Sequence, residues 1–256
     1  MHFVTSNVVL AVSIALSVST VAAEARAAAN FSVEARATTG TMPGAGATYS
    51  GALIGQTSAH VVNDPVQLQW TYNLSQQLYS DAAAESWTDM GALVGHAYAL
   101  ARRVKATNFP PGVTAASMGR FTDRFQVVSA TLPVNTPVTL TFHNIMHVDW
   151  TGSGLYEGTA SCLFQVNGHT ATSKWSAAYN KAETSTAAAP IVVKTAVGAV
   201  LTLNGRLDTF ARGWFFVPGP RYDGDMQVDA TCDTPFLGSD KDVQLVTESG
   251  FDYATL

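Results

Sequence analysis

Residues Val66 to Leu74, VQLQWTYNL, alternate strictly between apolar and polar side chains. Side chains on a β-strand point to opposite faces with a period of two. The apolar set, which includes Leu68, Trp70 and Tyr72, therefore shares one face, and the glutamines and Thr71 share the other. The segment predicts a half-buried strand.

Weaker alternation of the same kind recurs in three other segments, Phe31–Ala37, Phe121–Val127 and Met226–Cys232. Asn167-Gly168 stands between two further runs, and this dipeptide is the strongest short-range signal for a β-hairpin. Two prolines around Asn135 end one strand and begin the next. Many strands separated by turns predict an all-β fold, a two-sheet antiparallel β-sandwich that is jelly-roll-like and has at most short helical turns.

Two segments fit this pattern less well. The stretch Ser80–Lys105 contains helix formers and a capping Ser80 or Asp81 ahead of Glu85, so we predict a short helical turn near Asp81–Trp87. A strand from about Ala92 to Val104 should follow it. The alanine- and threonine-rich run from Ala177 to Ala189 is predicted to be a loop or an irregular edge.

The first residues are typical of a secretory signal peptide. A polar start precedes an apolar run from Val8 to Val18, and small residues follow it. We expect a signal peptide over residues 1–28, with cleavage between 23 and 29, and a single β-sandwich domain over residues 29–256. The alternative is a membrane anchor, but the apolar run is shorter than the roughly 20 residues that a spanning helix needs. The expected location is extracellular or periplasmic, without a stable membrane anchor.

The charge of the chain argues against a nucleic-acid partner. Charged residues make up 13% of the sequence, and the net charge is -5 with 14 Lys and Arg. No basic cluster is present that could displace counterions from a phosphate backbone.

The chain has 2 cysteines, Cys162 and Cys232, and both lie on apolar strand faces. In an exported protein such a pair predicts one disulfide bond between two strands. The alternative is two separate buried thiols.

The stretch Phe142–Trp150, FHNIMHVDW, contains two histidines and an aspartate. On one strand His143 and His147 lie about 13 Å apart, too far to share a zinc ion. His147 and Asp149 are close enough to share a metal with a third ligand from elsewhere. A solvated strand end is the preferred interpretation.

A calcium loop is one hypothesis for Asp223, Asp225 and Asp229, because the spacing resembles the opening of an EF-hand. Thr234 stands at the twelfth position, where that motif requires a carboxylate. The alternative is a solvated acidic turn. No cofactor other than calcium is expected.

Four aromatic residues are candidate ligand-binding residues, because exposed rings on sandwich loops can stack on sugars. The alternative is that they cover the ends of the core. They are Trp214, Phe216, Trp150 and Trp175.

Three stretches, SATLPVNTPVTLTFH (Ser129–His143), TAVGAVLTLNGRLDT (Thr195–Thr209) and LVTESGFDYATL (Leu245–Leu256), resemble uncharacterised exported bacterial β-sandwich proteins of the PEP-CTERM-associated type. The resemblance implies a secreted sandwich tied to the matrix or the cell surface. It carries over no catalytic residue. The sequence here shows no Pro-Glu-Pro motif, apolar tail or basic end, so free secretion is expected.

No nucleophile elbow, zinc-protease helix or phosphate-binding loop occurs in the sequence. We therefore expect a secreted, non-enzymatic protein of the cell surface or extracellular matrix that binds carbohydrate or is adhesive. The first alternative is a self-assembling subunit of a fibre or surface layer. The second is an exported hydrolase with carboxylates far apart in sequence.

Overall fold

The structure is a computed structural model, and it describes residues 30–39, 58–71, 77–89, 92–103, 113–214 and 224–253. These residues form fifteen β-strands. The strands are β1 Asn30–Thr39, β2 Ser58–Thr71, β3 Gln77–Asp89, β4 Ala92–Arg103, β5 Val113–Val128, β6 Pro137–Phe142, β7 Ile145–Ser153, β8 Leu155–Val166, β9 His169–Ala178, β10 Thr184–Thr186, β11 Ile191–Ala196, β12 Val200–Trp214, β13 Gly224–Asp233, β14 Phe236–Ser239 and β15 Gln244–Thr247.

The strands form three antiparallel sheets. A seven-stranded sheet has the order β1-β5-β12-β8-β9-β10, with β15 pairing the end of β5 beyond β1. A five-stranded sheet has the order β2-β3-β4-β13-β7, and a three-stranded sheet has the order β11-β6-β14. The two large sheets pack face to face, so the predicted all-β sandwich is confirmed.

The strongest strand predictions hold. Strand β2 contains most of VQLQWTYNL and ends at Thr71, and the last three residues of that stretch lie outside the described residues. Strands β5 and β12 alternate between buried and less buried side chains along their whole length, as expected for strands with one face in a core. The segment Met226–Cys232 lies within β13, which alternates in the same way.

The predicted turns are also confirmed. Asn167 and Gly168 have φ angles of 46° and 87° and join β8 to β9 as a two-residue hairpin. Positive φ at both central residues is what a type I′ turn requires, which explains the Asn-Gly dipeptide. Asn135, with φ of 69°, lies in the turn between β5 and β6.

The helical turn predicted near Asp81–Trp87 is wrong. These residues lie inside β3, which pairs with β2 on one side and with β4 on the other. Strand β4, Ala92–Arg103, confirms the strand predicted to follow. The run from Ala177 to Ala189 contains the end of β9, a turn and the short edge strand β10, as the prediction of an irregular edge required.

The core has a thin part and a thick part. Where β3 and β4 face β5 and β12, the buried side chains are small. They include Ala84, Ser86, Ala97, Ser117 and Ala211. Glycines bring the sheets close together here, since a Cβ on Gly119 would lie 2.5 Å from the hydroxyl oxygen of Thr88.

The thick part lies where β5 and β8 face the three-stranded sheet. Phe142 of β6 stands between Phe125 of β5 and Phe164 of β8, with ring centroids 5.7 and 6.1 Å apart. Cys162 of β8 and Cys232 of β13 form a disulfide bond between the two large sheets, with Cα atoms 6.0 Å apart. The predicted bridge is thus present. Within the described ranges, no helix has the length and apolar character to cross a membrane.

Candidate functional site

Two of the predicted ligand-binding tryptophans belong to the core. Trp175 of β9 is 4% exposed, and its indole N–H donates a hydrogen bond to Glu183 at 2.6 Å. Trp150 of β7 packs on Trp175 and on Tyr156, with ring centroids 5.7 and 5.9 Å away. The alternative role, covering one side of the core, accounts for both tryptophans.

Trp214 lies on the outward-facing side of β12. It is half-buried, and the guanidinium of Arg212 lies 5.0 Å from its ring centroid, within the range of a cation–π contact. Phe216 lies outside the described residues. Of the three aromatic candidates that the structure describes, Trp214 is therefore the one that it places on an outward-facing side.

Strand register brings a larger set of outward-facing side chains together on the seven-stranded sheet. We call the outward side of the seven-stranded sheet the outer face, and two adjacent cross-strand rows over β5, β12, β8, β9 and β10 run across it. One row is Ala116, Phe210, Thr159, Ser176 and Thr184, and the other is Met118, Asp208, Ser161, Lys174 and Thr186.

Phe210 is the aromatic residue at the centre of the outer face. Its direct cross-strand neighbours are Ala116 on β5 and Thr159 on β8. Because both neighbours are small, they leave the half-buried ring projecting from the sheet. Sequence reasoning missed Phe210, although a signal existed. On β12 the inward-facing residues are mostly apolar, for example Leu203 and Leu207, and most outward-facing residues are polar. Phe210 is an aromatic residue at an outward-facing position.

Two shallow depressions adjoin on the outer face. One is lined mainly by hydroxyl side chains, Thr159, Ser161, Ser176, Thr184 and Thr186, together with Lys174. The other is lined by Met118, Arg206, Asp208 and Phe210 with their small neighbours. The hydroxyls of Ser176 and Thr184 lie 2.7 Å apart, so they also orient each other. Together they form a broad polar surface with a ring at its centre.

The outer face also carries positive charge. All four arginines whose side chains the structure describes lie on it, namely Arg120, Arg124, Arg206 and Arg212. Arg206 makes a bidentate ion pair with Asp208, with both nitrogen–oxygen distances at 2.7 Å. Arg124 pairs with Glu248 at 3.3 Å.

The opposite surface, the outward side of the five-stranded sheet, is acidic. Its described carboxylates are Glu85, Asp149, Asp225, Asp229 and Asp233. Asp149 and Asp229 stand directly opposite each other on β7 and β13. His96 of β4 lies 2.5 Å from Asp229, and Gln227 donates a hydrogen bond to the same carboxylate at 2.7 Å.

The residues of the calcium hypothesis lie on this acidic side. Asp223 is outside the described residues. Asp225 accepts a hydrogen bond from Ser153, and Asp229 is held by His96 and Gln227. Asp225 and Asp229 are four residues apart on one strand, about 13 Å, which is too far to share an ion. Among the described side chains no three potential ligands come together, so calcium binding through Asp223 stays a prediction.

The stretch FHNIMHVDW does not form one strand. It divides at His143 and Asn144, where the chain leaves β6 in the three-stranded sheet and enters β7 in the five-stranded sheet. Buried Asn144 fixes this crossing, because its amide donates to the carbonyl of Cys162 and accepts from the hydroxyl of Ser173. His147 and Asp149 are exposed on the acidic side, as the preferred interpretation expected.

His147 affects one neighbouring carboxyl. Partial burial raises the pKa of Asp233 above its ordinary value, and the positive field of His147 opposes that rise. Such a group titrates closer to neutral pH than an exposed aspartate does.

Comparisons with known protein families, curated proteins and solved structures find no match. The outer face must therefore be interpreted from its own chemistry. It offers hydroxyl hydrogen bonds, one stacking ring and separated charges, and such groups bind polar ligands without making covalent bonds.

Proposed function

We propose that the protein is an exported, non-enzymatic β-sandwich that binds carbohydrate at the cell surface or in the extracellular matrix. The observation that carries this proposal is the outer face. Phe210, flanked by the small side chains of Ala116 and Thr159, lies next to a depression lined by serine and threonine hydroxyls.

Sugar chemistry matches these groups. A pyranose ring presents hydroxyls at its edge, which can exchange hydrogen bonds with Ser161, Ser176 and Thr184. Its C–H face is apolar and can cover an aromatic ring such as Phe210, and aromatic side chains contribute strongly to interface energies. A shallow, open surface suits a long chain that passes over it better than a small molecule that must be enclosed.

The disulfide bond supports the exported part of the proposal. Cys162 and Cys232 are bonded to each other across the two large sheets. Structural disulfides form and persist in oxidising compartments outside the cytosol. The bond thus agrees with the secretory signal expected from the first residues.

The test is a titration of the protein with a panel of soluble polysaccharides, in which calorimetry or tryptophan fluorescence measures binding. Phe210→Ala should weaken the best ligand about tenfold, because it removes the stacking ring and the area that the sugar buries. The matched control is Tyr98→Ala, an aromatic truncation on β4 of the opposite, acidic side. Equal affinity for Phe210→Ala and the wild type would contradict the proposal.

One observation favours a second function, self-assembly. The outer face carries four arginines, and the opposite side carries the five described carboxylates, so copies could stack head to tail in an open array. Sedimentation velocity should then show oligomers at low salt that dissociate at high salt. Monomers at every salt concentration would contradict it.

A further inference from the structure

Two cationic side chains face each other in the middle of the outer face. Arg120 of β5 stands directly opposite Arg206 of β12 in the antiparallel register. Like charges placed directly opposite on a sheet are destabilising. Arg206 is held by Asp208, but no described side chain forms an ion pair with Arg120, which is exposed. Since Asp208 already balances the charge of Arg206, an anion bound here would chiefly offset the charge of Arg120.

Lys174 adds a third cation on the same surface. It is exposed on β9, opposite Ser161 on one side and Thr186 on the other, and it lines the hydroxyl-rich depression. No described side chain forms an ion pair with it. Three strand spacings, about 14 Å, and an offset of two residues along the strands, about 7 Å, separate it from Arg120, so the two positions are about 16 Å apart. The two cations therefore contact different units of a ligand that crosses the strands.

On the basis of the proposed function, we propose that the ligand is an acidic polysaccharide with carboxylate groups. Its chain lies across β5, β12, β8 and β9. One carboxylate sits at Arg120 and Arg206 and another sits at Lys174, with Ser161 of β8 between them. The ring of Phe210, four residues along β12 from Arg206, lies beside this path.

The distribution of charge favours carboxylates over dense sulfation. Asp208 and Glu157 stand among the cations of the outer face, so a chain with several sulfates on each sugar meets repulsion there. The planar guanidinium of Arg120 matches a single carboxylate in a bidentate geometry. The acidic opposite side, with Asp149 and Asp229, repels the same polymer, so binding is confined to one face.

The test compares alginate, a polymer of carboxylate sugars, with neutral dextran, sulfated dextran and duplex DNA. The double variant Arg120→Gln, Lys174→Gln should lose about tenfold in affinity for alginate. The matched control is the double variant Lys194→Gln, Lys241→Gln, which removes two positive charges outside the outer face, on β11 and in the loop after β14. Circular dichroism and thermal melting establish that each variant is folded.

Preference for alginate over dextran, lost in the outer-face variant and kept in the control, supports the inference. If dextran binds as well as alginate and both variants behave as the wild type, the inference fails while the proposed function stands. If no polysaccharide binds, both fail. Tighter binding of sulfated dextran or DNA, or equal loss in both double variants, indicates unspecific attraction and also overturns the inference.

Discussion

Asp123 shows how a single residue fixes the C-terminal segment. It is 1% exposed, and its carboxylate accepts hydrogen bonds from the backbone of Arg124 and Ser249 and from the hydroxyls of Ser249 and Tyr253. A buried carboxylate is tolerable only when such bonds replace its hydration. The side chain therefore ties residues 249–253 to β5.

Asp123→Ala should lower the free energy of unfolding by about 3 kcal/mol, since several donors lose a charged acceptor at once. Urea denaturation followed by fluorescence measures this value. The control is Asp242→Ala, an exposed carboxylate in the loop before β15, for which we expect a change below about 0.5 kcal/mol. Equal stability of the two variants would show that the C-terminal segment does not depend on Asp123.

Glu248, next to this cluster, links stability to pH. Burial raises the pKa of its carboxyl, Arg124 opposes the shift, and the negative charge of Asp123 adds to it. A raised pKa means that the folded state binds the proton more tightly than the unfolded state does. The stability that this carboxyl contributes is therefore fully present below the ordinary glutamate pKa and is lost as pH rises through the raised pKa.

Glu248→Gln should accordingly raise the melting temperature at neutral pH, because it removes the cost of a buried charge. At about pH 3.5 the carboxyl is protonated in both states, and the two proteins should melt together. Thermal melts at both pH values test this. A lower melting temperature for the variant at neutral pH would mean that the ion pair with Arg124 outweighs the burial.

The sequence predicts the roles of single residues less well than it predicts the strands or the class of fold. Phe210, an aromatic residue at an outward-facing position of β12, was not among the predicted site residues. Asn144 was missed because its role depends on Cys162 and Ser173, which are distant in sequence and meet it only in the folded protein. Trp175 was a candidate ligand-binding residue, and polar residues surround it in the sequence, but its side chain is buried in the structure.

Among the elements, β3 is the most informative. Its sequence, QLYSDAAAESWTD, contains helix formers and a capping signal, and for that reason a helical turn was predicted. The structure places it as a strand between β2 and β4. Ala84, Ser86 and Thr88 are buried, and their small size lets the two large sheets approach. Tertiary packing has overridden local propensity, as it does when a segment can pair on both sides.

Gly119 of β5 makes that close approach testable. A Cβ at this position would lie 2.5 Å from the Thr88 hydroxyl and 3.3 Å from that of Ser86. Gly119→Ala should therefore destabilise the fold by about 1–3 kcal/mol, as overpacking does, although alanine normally suits a strand better than glycine. The double variant Gly119→Ala, Thr88→Ala should recover most of the loss in urea denaturation. A stabilised single variant would contradict the tight packing.

For the whole molecule, the sequence predicted the class of fold and the disulfide bond. Alternation and turn residues are local signals, so they predict strands and hairpins well. The order of strands in a sheet depends on contacts between distant residues, and no local pattern encodes it. The rows of the outer face follow from that order, so the site could not be assembled from the sequence alone.

The disulfide bond should contribute strongly to the stability of the whole sandwich. It closes a loop with a sequence separation of 70 residues. The chain-entropy account gives such a crosslink about 4 kcal/mol. The double variant Cys162→Ser, Cys232→Ser should therefore unfold at a clearly lower urea concentration than the oxidised protein, and reductant should no longer affect it. Identical midpoints for the oxidised and the cysteine-free protein would contradict this role.

The two large sheets give the molecule two chemically different sides, and among the side chains that the structure describes it is the outer face that combines hydroxyls, a projecting ring and unpaired cations. A residue-resolved NMR titration of the isotope-labelled protein with alginate oligosaccharides tests this assignment most directly. We predict that the perturbed amides cluster on β5, β12, β8 and β9, around Arg120, Phe210, Ser161 and Lys174. Perturbations confined to β4, β13 and β7, or none at saturating oligosaccharide, would contradict it.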